Sequence, residues 1–584
     1  MSNSNLTNAD IARVFAECAD LLEIDGADSF RVSSYRRVAR CINDLPTDVR
    51  EIAVRGELAR LEGVGKSSAQ KIQTLLDTGA LPLRVELAQK VPETLLELLH
   101  IPGMGPKKVA QLWREVGVLS LESLAAAIDA GRLEGLKGFG ARSVEKILEG
   151  IAFLKRIGGR TRLGEAAPVA ERFRAAVAEL PGVARAEIAG SLRRGCETIG
   201  DLDLLCVADD GAAVIGHFTK LPGVTRVLVA GDTKGSVLVE RAAEREIQID
   251  LRVVPAESFG AAWQYFTGSK EHNVRLRELA VRRGWTLNEY ALSDASSGKA
   301  IASRSEEDIY AALGLPCLPP ELREDRGEFE LKEAPRDLVA LEDVRGDLHL
   351  HTDASDGKHT LEQMVAAAQE RGYEYIAVTD HSQASVVANG LDRERLLRHI
   401  DAIHKLNERT RGLTVWAGAE VDIMADGSLD YEDDLLAQLD WVVASNHYHL
   451  GRDGDKNTER ALAALRNPHV NVLAHPTGRM INRRDAAPLD IGALCAEAAR
   501  TGAALEINAS GSRLDLKDTH ARLAAQAGAL LCINCDAHAT DQLDKMRYGV
   551  ITARRGWVRR QDVLNTRSAK QVAAFVRAKR TQGR

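Results

Sequence analysis

The sequence predicts a multidomain protein with an all-α N-terminal region, an α+β central region and a C-terminal α/β barrel. At 584 residues the chain is too long for a single hydrophobic core. Three glycine-rich repeats interrupt a helical first region of about 160 residues, and strand-like runs follow up to residue 255. From residue 345 onward apolar strands alternate with helices, which is typical of a parallel barrel whose functional residues lie at the C-terminal strand ends.

The composition is that of an ordinary globular protein, with 45% hydrophobic and 28% charged residues. The polar start and the absence of a long apolar run argue against a signal peptide and a membrane span, so we expect a cytoplasmic protein. Cys532 and Cys535 form one C-x-x-C without a second pair, so we expect buried residues on a strand rather than a zinc ribbon. Because the net charge is −7, DNA binding must come from local clusters of cations.

The repeats in the helical region each place G-x-G before a helix, in LEGVGKSSAQKI (61–72), IPGMGPKKVAQL (101–112) and LKGFGARSVEKI (136–147). The glycines allow a tight turn with backbone N–H groups at a helix N-terminus, which suits a phosphate. The repeats resemble helix-hairpin-helix motifs, which hold the DNA backbone without reading its sequence. The alternative for the cations Lys66, Lys107, Lys108 and Arg142 is an ordinary solvated helix start. The resemblance implies DNA-backbone contacts at Gly63, Gly65, Gly103, Gly105, Lys107, Gly138 and Gly140.

The central region carries carboxylates on predicted strands. In ETIGDLDLLCV (197–207), Asp201 and Asp203 share one strand face, where they repel each other unless cations bind between them. Asp250 closes another apolar strand and completes a set that suits two divalent ions in phosphoryl transfer. Just upstream, AGSLRRG (189–195) offers a glycine turn, a hydroxyl and two guanidinium groups to an anionic phosphate chain.

Four motifs in this order, GSLRRG, GDLDLL, IDLRVV and YFTGSKEHNVRLRELA, resemble the family X DNA polymerases over residues 1–320. The resemblance implies an α+β nucleotidyltransferase palm with a thumb, which acts on dNTPs and on gapped or primer-template DNA. It implies that Asp201, Asp203 and Asp250 are the catalytic ligands of Mg²⁺ or Mn²⁺. It also implies a template contact at Arg277 and nucleotide contacts, including a turn that excludes ribose, at Gly190, Ser191, Arg194, Tyr265, Phe266, Gly268 and Asn273.

The same resemblance places Lys71, in AQKI, where beta-like enzymes have a lysine that forms a Schiff base with a 5′-deoxyribose phosphate. A second lysine often present earlier in that motif is replaced by Ser67, and a supporting position is occupied by Arg31. A nucleophilic lysine needs a lowered pKa. Lyase chemistry and an ordinary DNA-facing lysine both remain open from the sequence.

Histidine is concentrated after residue 340, where 12 of the 15 residues lie. His349 and His351 share a strand face, and imidazole mixed with carboxylate suits Zn²⁺, Mn²⁺ or Fe²⁺ better than Mg²⁺. The motifs DLHLHT, DASDG, VTDHS, GAEVDI, ASNHYH, LAHPTG and INCDAH resemble the PHP phosphoesterases, which implies a distorted TIM-like α/β barrel. The resemblance implies two or three ions held by His349, His351, Asp356, His381, Glu420, His447, His475, Asp536 and His538. A second histidine in ASNHYH, His449, leaves open whether His447 is the ligand there.

These features predict six parts of the chain: a DNA-binding domain of the 8-kDa type (1–85), fingers (86–160), palm (161–257), thumb (258–320), linker (321–343) and PHP domain (344–584). The implied function is DNA polymerisation in gap-filling repair, with a metal-dependent 3′–5′ exonuclease or a nuclease at abasic sites. One alternative is a polymerase fused to a small-molecule phosphatase. The other is a DNA-binding repair scaffold with weak catalysis. We expect a monomer associated with the nucleoid.

Overall fold

A computed structural model gives the fold and describes residues 6, 8–45, 48–61, 63–99, 101, 104–133, 135–136, 138–140, 143–145, 147–148, 151, 160–242, 245–448, 450 and 453–582. The chain divides into two compact units, Met1–Gly159 and Arg160–Arg584. None of the helices described combines the length and apolar character that spanning a bilayer requires.

The first unit is helical throughout the described part of its chain. Its helices are α1 (Asn8–Asp25), α2 (Ser29–Asp44), α3 (Val49–Val54), α4 (Lys66–Thr78), α5 (Pro82–Lys90), α6 (Leu95–Leu98), α7 (Pro106–Gln111) and α8 (Leu121–Asp129). Apolar side chains from all of them form a common core, in which the rings of Phe15 and Tyr35 lie 5.7 Å apart. Asp28 begins α2 by accepting a hydrogen bond from the Arg31 backbone N–H, as a good N-cap does.

The second unit begins with the α+β domain. Its elements are β1 (Thr161–Arg162), α9 (Leu163–Ala178), β2 (Val183–Ile188), α10 (Gly190–Arg193), β3 (Thr198–Ile199), β4 (Leu202–Ala208), α11 (Gly211–Phe218), β5 (Val224–Ala230), β6 (Lys234–Ala242) and β7 (Arg245–Val254). Five of the strands form one sheet in the order β2-β4-β7-β6-β5, and β1 pairs with β3. Within the five-stranded sheet only β4 and β7 run parallel, so residues at the same register on these two strands face the same side.

The thumb follows with α12 (Phe259–Thr267), α13 (Lys270–Arg282), β8 (Trp285–Leu287), β9 (Leu292–Asp294), β10 (Ala300–Ala302) and α14 (Glu306–Ala312). Part of the predicted linker at 321–343 is buried in the fold, whereas the larger part is half-buried or exposed. Arg323 is 1% exposed and forms an ion pair with Glu306, and Glu328 is fully buried with its carboxylate 2.7 Å from His272 Nδ1. Arg323 and Glu328 can be buried because each has a partner of opposite or complementary charge, whereas most other charged residues of the segment are exposed.

The C-terminal part is a parallel barrel. Its elements are β11 (Gly346–Leu350), α15 (Leu361–Glu370), β12 (Tyr375–Val378), α16 (Arg393–Arg409), β13 (Thr414–Asp422), α17 (Asp433–Leu436), β14 (Trp441–Ser445), α18 (Gly454–Arg466), β15 (Val472–Leu473), α19 (Ile491–Thr501), β16 (Ala504–Asn508), α20 (Asp518–Gln526), β17 (Leu530–Asn534), α21 (Met546–Arg555) and α22 (Ala569–Gln582). The seven strands lie in sequence order, and a parallel bridge between Leu350 and Ala537 brings the first beside the last. Cys532, in β17, and Cys535, just after it, are fully buried.

Candidate active sites

The two palm strands β4 and β7 bring the three predicted carboxylates together. Asp203 is paired with Asp250 in parallel register, and Asp201 immediately precedes β4. Burial, followed by the charges of Asp201 and Asp250, raises the pKa of Asp203 to about 7. Burial and the charge of Asp250 also raise the pKa of Asp201. Each carboxylate makes ionisation of the others less favourable, and a divalent cation bound between them would stabilise their ionised forms. The three residues therefore fit the implied Mg²⁺ or Mn²⁺.

The predicted phosphate turn (189–195) can lie against these carboxylates because its second residue, Gly190, has no side chain. Gly190 has a φ of 65°, and a Cβ atom there would lie 2.1 Å from Asp203 Oδ2. The Ala189 N–H donates to the Asp203 carbonyl at 2.8 Å, which ties the turn to β4. Ser191 follows in α10. Any larger residue in place of Gly190 would displace either the turn or the carboxylate.

The two arginines of the turn have different surroundings. Arg193 donates to Thr267 Oγ1 and to both carboxylate oxygens of Glu306, and its guanidinium lies 3.4 Å from the centre of the Trp263 ring. Arg194 donates from Nε to Glu324 Oε1 at 3.0 Å and from Nη1 to the Thr267 carbonyl. Its Nη2 reaches Cys196 Sγ at 3.7 Å, a weak acceptor. Arg193 and Arg194 both hold the turn to Thr267, and Arg194 keeps N–H groups that these contacts do not use.

The predicted sugar-selecting turn ends α12. Asn273 Nδ2 donates to the Tyr265 carbonyl at 2.7 Å, so α13 holds the turn in place. The Tyr265 and Phe266 rings meet edge to face at 5.2 Å. Gly268 has a φ of 75°, and a Cβ atom there would lie 3.0 Å from Arg194 Nη1. The turn is thus in direct contact with Arg194, which is predicted to bind phosphate. One helical turn beyond Asn273, Arg277 lines an open groove along α13 together with Val274, Glu278, Val281 and Arg282.

In the N-terminal unit, two of the predicted phosphate turns directly precede helices. Gly65 is the N-cap of α4 and Gly105 that of α7, after which Lys107 is exposed. A Cβ atom at Gly63 would lie 2.5 Å from Arg37 Cδ, while Gly138 has a φ of 89°. Gly140 is described, whereas Gly103 and Arg142 lie outside the described residues.

Lys71 lies in α4 of the same unit. Its Nζ lies 4.8 Å from the centre of the Tyr35 ring, close enough for a cation–π contact. Arg31 is exposed at the start of α2. These contacts are compatible with a DNA-facing lysine and with a lyase nucleophile, so the role of Lys71 stays a prediction.

The nine predicted ligands of the barrel converge at the C-terminal ends of its strands, from β11, β12, β13, β14, β15 and β17. Their donor atoms form four groups in which all atoms lie within 4.8 Å of one another. These groups are His351–Asp356–His381–His538, His349–His351–Asp536, His349–Glu420–His475 and His381–Glu420–His447. Because His349, His351, His381 and Glu420 each belong to two groups, the arrangement suits adjacent ions with shared ligands.

Buried donor atoms at the centre of this cluster lack hydrogen-bond partners among the described residues. They include His349 Nε2, His381 Nδ1 and Glu420 Oε2. The last two lie 2.9 Å apart as an ion pair, but without the geometry of a hydrogen bond. Buried polar atoms in native proteins almost always have a partner. Metal ions would supply it, and the mixture of imidazole and carboxylate donors fits Mn²⁺, Zn²⁺ or Fe²⁺.

The cluster shifts the pKa values of its members in opposite directions. Burial opposes the charged form of His381, but Glu420 outweighs it and raises the pKa of His381 to about 9. Burial and the neighbouring His538 and His381 lower the pKa of His351 to about 4. Burial also opposes ionisation of Glu420, but His381 and His447 hold its pKa well below the usual value. Metals bind the neutral imidazole and the ionised carboxylate, the forms that these shifts give His351 and Glu420, whereas a metal ion would have to displace the proton of His381.

Supporting acids that the sequence did not single out orient several ligands. Glu506 Oε1 lies 2.8 Å from His349 Nδ1, which turns His349 Nε2 toward Glu420 at 3.4 Å. Asp422 Oδ1 lies 2.9 Å from His447 Nδ1 and leaves His447 Nε2 for the cluster. Such carboxylate–histidine pairs fix the ring and raise its basicity. His447 therefore has ligand geometry, and His449 lies outside the described residues.

Comparison with protein families matches four regions of the chain. A helix-hairpin-helix domain matches residues 6–81 and a SAM-like helix-hairpin-helix tandem matches 95–152. The DNA polymerase beta thumb matches residues 262–324, and the PHP domain matches 347–480. These matches confirm the predicted helix-hairpin-helix, thumb and PHP folds.

Comparison with characterised proteins finds relatives whose alignments cover different shares of this chain. The chain is 39% identical over 568 residues to "DNA polymerase/3'-5' exonuclease PolX" of Bacillus subtilis, an alignment that covers 97% of this chain and 99% of the relative. It is 31% identical to DNA polymerase lambda of Rattus norvegicus over 51% of this chain and 53% of that protein. A "probable phosphatase" of Syntrophotalea carbinolica is 31% identical over 33% of this chain and 79% of its own length.

Proposed function

We propose that this chain, which belongs to the PolX family of DNA polymerases, extends DNA primers at its palm and removes nucleotides from DNA 3′ ends at its barrel. The observation that carries this proposal is the presence of two complete sites with different donor chemistry in one chain. Three carboxylates meet in the palm, and nine imidazole and carboxylate ligands meet in the barrel. Together the two activities suit gap-filling repair such as base excision repair, in which a damaged 3′ end is trimmed before resynthesis.

In the palm, Asp201, Asp203 and Asp250 would hold Mg²⁺ or Mn²⁺, which when bound assists ionisation of the primer 3′-hydroxyl and stabilises the leaving pyrophosphate. The chain itself supplies the positions of the reactants. The turn at Gly190 and Ser191 offers backbone N–H groups and a hydroxyl to the dNTP phosphates. Arg194 adds a guanidinium whose orientation is set by Glu324 and the Thr267 carbonyl.

The rest of the nucleotide site would select the sugar and contact the new base pair. The backbone at Tyr265 and Phe266 crowds a ribose 2′-hydroxyl, and Gly268 lets the turn lie against Arg194. Asn273 fixes this turn through its hydrogen bond to the Tyr265 carbonyl. Arg277, on the same helix, faces an open groove and would contact the template strand.

In the barrel, the nine ligands would hold two or three Mn²⁺, Zn²⁺ or Fe²⁺ ions, which when bound activate water and neutralise the scissile phosphate. Glu506 and Asp422 fix the rings of His349 and His447, so these ligands need little reorganisation. The same site could act on an abasic site, because its chemistry is directed at the phosphodiester and not at the base.

DNA is the common substrate of both sites, and the helix-hairpin-helix motifs bind it through the backbone. For the parts not fixed by the family, we propose that the protein takes dNTPs and gapped DNA, acts as a monomer and works at the nucleoid in the cytoplasm. The experiment is extension of a labelled primer on gapped DNA with each of several divalent metals, with and without dNTPs. Extension with dNTPs and shortening without them supports the proposal, and inactivity on every DNA contradicts it.

A second candidate is that the barrel is a small-molecule phosphatase. The similarity of about a third of the chain to a probable phosphatase favours it. Hydrolysis of a small phosphate monoester, measured beside degradation of 3′-recessed DNA, separates the two. Turnover of the monoester without loss of nucleotides from DNA would assign the barrel to small substrates.

Lyase activity of Lys71 is a separate proposal, supported by its place in the first helix-hairpin-helix region. Borohydride would trap a Schiff base between the protein and a 5′-deoxyribose phosphate end. Trapping by the wild-type protein and none by Lys71→Ala supports a nucleophilic lysine, whereas equal trapping by both proteins removes Lys71 from that role.

A further inference from the structure

Helix α21 of the barrel packs directly on the palm turn that contains the predicted phosphate-binding residues. Gly195, at the end of this turn, has a φ of 68°, and a Cβ atom there would lie 2.0 Å from Ile551 Cγ2. Tyr548, one turn earlier on α21, is buried in the apolar core of the palm. The palm and the barrel therefore share a close-packed contact at this turn.

The last residue of α21, Arg555, joins this contact through hydrogen bonds. Its Nη1 donates to the Arg194 carbonyl at 2.7 Å and to Glu324 Oε1 at 2.8 Å. Its Nη2 lies 3.1 Å from Asp518 Oδ2. Since Glu324 Oε1 also accepts from Arg194 Nε at 3.0 Å, one carboxylate oxygen is shared by an arginine of the palm and an arginine of the barrel.

This network of charged side chains has more cations than anions, so it would attract an anionic ligand. It contains the cations Arg194, Arg326 and Arg555 and the anions Glu324 and Asp518, with Arg326 Nη1 2.9 Å from Asp518 Oδ2. Their side chains are 8% to 22% exposed, so solvent screens these charges only partly. The network carries one net positive charge, which would fall to zero without Arg555.

We propose that Arg555 is a positioning residue for the polymerase reaction, through which the barrel completes the triphosphate-binding site of the palm. Arg555 neutralises Glu324 and holds the Arg194 backbone, so the Arg194 guanidinium keeps its orientation and its charge for the incoming triphosphate. Without Arg555, Glu324 would lose one of its two arginine partners, so it would bind the remaining one, Arg194, more tightly and weaken the attraction of Arg194 for the nucleotide. This inference rests on the proposed function, in which Arg194 contacts the triphosphate.

The first measurement is steady-state extension on gapped DNA by full-length Arg555→Met. We expect KM for the dNTP to rise about tenfold with kcat within about twofold of wild type, because the lost interaction acts on nucleotide binding. Exonuclease activity should remain close to that of the wild type, whereas the melting temperature should fall, because Glu324 and Asp518 lose a buried partner. Arg555→Lys keeps the charge, so its KM should stay within about threefold of wild type; a KM as high as that of Arg555→Met contradicts the electrostatic account.

The matched control is Arg554→Met, on the same helix. Arg554 donates to Glu321 Oε1 at 2.6 Å and to the Val339 carbonyl, and no hydrogen bond joins it to residues 189–195 in the described structure. Its loss removes a comparable ion pair without touching the turn, so KM for the dNTP should not change. A rise in KM equal to that of Arg555→Met would reduce the effect to general destabilisation and overturn the proposal.

The decisive variant is the double substitution Glu324→Gln/Arg555→Met. It removes the charge of Glu324 together with that of Arg555, so Arg194 is no longer held by a carboxylate and KM for the dNTP should return to within about threefold of wild type. A KM that stays at the value of Arg555→Met, or an Arg555→Met protein that folds with an unchanged KM, overturns the inference. Arg194→Met separates this outcome from the proposed function. If Arg194→Met leaves KM unchanged, the triphosphate role of Arg194 is wrong; if it raises KM while Arg555→Met does not, only the role of Arg555 is wrong.

Discussion

Asp203 and Asp250 occupy directly paired positions on the parallel strands β4 and β7, so their carboxylates face the same side of the palm sheet. Asp201, two residues before Asp203, adds a third carboxylate. The structure thus places three carboxylates beside the turn at 189–195, which is predicted to bind phosphate.

The raised pKa of Asp203 should make the effect of Mg²⁺ on stability depend on pH. The pKa of Asp203 is about 7 in the folded protein, whereas its ordinary value is 3.8. The contribution of this carboxyl to stability is therefore complete below the ordinary pKa and is lost as pH rises through about 7. A divalent cation takes the place of the proton. Mg²⁺ should therefore raise the melting temperature more at about pH 8 than at about pH 6. Asp203→Asn should lose the difference between the two pH values; if it keeps the full difference, another site is responsible.

Gly190→Ala should damage the polymerase through a defined clash. The added Cβ would lie 2.1 Å from Asp203 Oδ2, in a backbone conformation with a φ of 65°. We expect primer extension to fall about a hundredfold or more, because a misplaced carboxylate impairs alignment of the reactants. Gly182→Ala is the control: Gly182 has a φ of 80° but no heavy atom within 4 Å of the Cβ position. Equal loss of extension in both variants would point to backbone strain alone.

Glu506→Gln should weaken the barrel cluster without removing a ligand. Glu506 holds His349 Nδ1 at 2.8 Å, and loss of such an acid typically lowers metal affinity about 10- to 100-fold. Mn²⁺ titration of the metal-free protein measures this directly, and exonuclease activity should fall with it. Glu497→Gln on α19 is the control, since Glu497 pairs with Arg466 and Arg500. Mn²⁺ affinity that is the same in both variants would show that Glu506 does not support the site.

Lys107→Ala should reduce binding to gapped DNA and its dependence on salt. Lys107 is exposed in the first turn of α7, directly after the second G-x-G. Loss of one phosphate contact should lower the slope of log affinity against log salt by about 0.9. Lys90→Ala, in which an exposed lysine of α5 loses its ion pair with Glu86, serves as the control. If the two variants have the same slope, the second repeat does not contact DNA.

The sequence predicts which side chains meet at the two candidate sites, because most of them lie in short local motifs. Asp201 and Asp203 alternate along one strand, and His349 and His351 do the same on another, so the strand period alone places each pair on one face. Glu506 escapes such reasoning because it meets His349 across 157 residues of sequence. Nothing in its own strand distinguishes an acid that orients a ligand from one that faces solvent.

The segment 321–343 shows that composition alone does not predict which charged residues are buried. Its many charges and Pro335 predict a linker. In the structure Arg323 pairs with Glu306 and Glu328 with His272, both earlier in the chain, so these two charged residues are buried with partners while most others in the segment are exposed. Composition reports the presence of charges but not the partners that allow their burial.

The central claim, two independent metal sites with opposite reactions, is tested most directly by following one labelled primer on gapped DNA with Mn²⁺, with and without dNTPs. Asp201→Ala lacks a palm ligand and should lose extension by several orders of magnitude while it still shortens the primer. His349→Ala lacks a buried ligand shared by two groups of the cluster, so it should lose bound metal and degradation while it still extends the primer. If Asp201→Ala also abolishes degradation, or His349→Ala leaves degradation intact, the account of two separate sites is wrong.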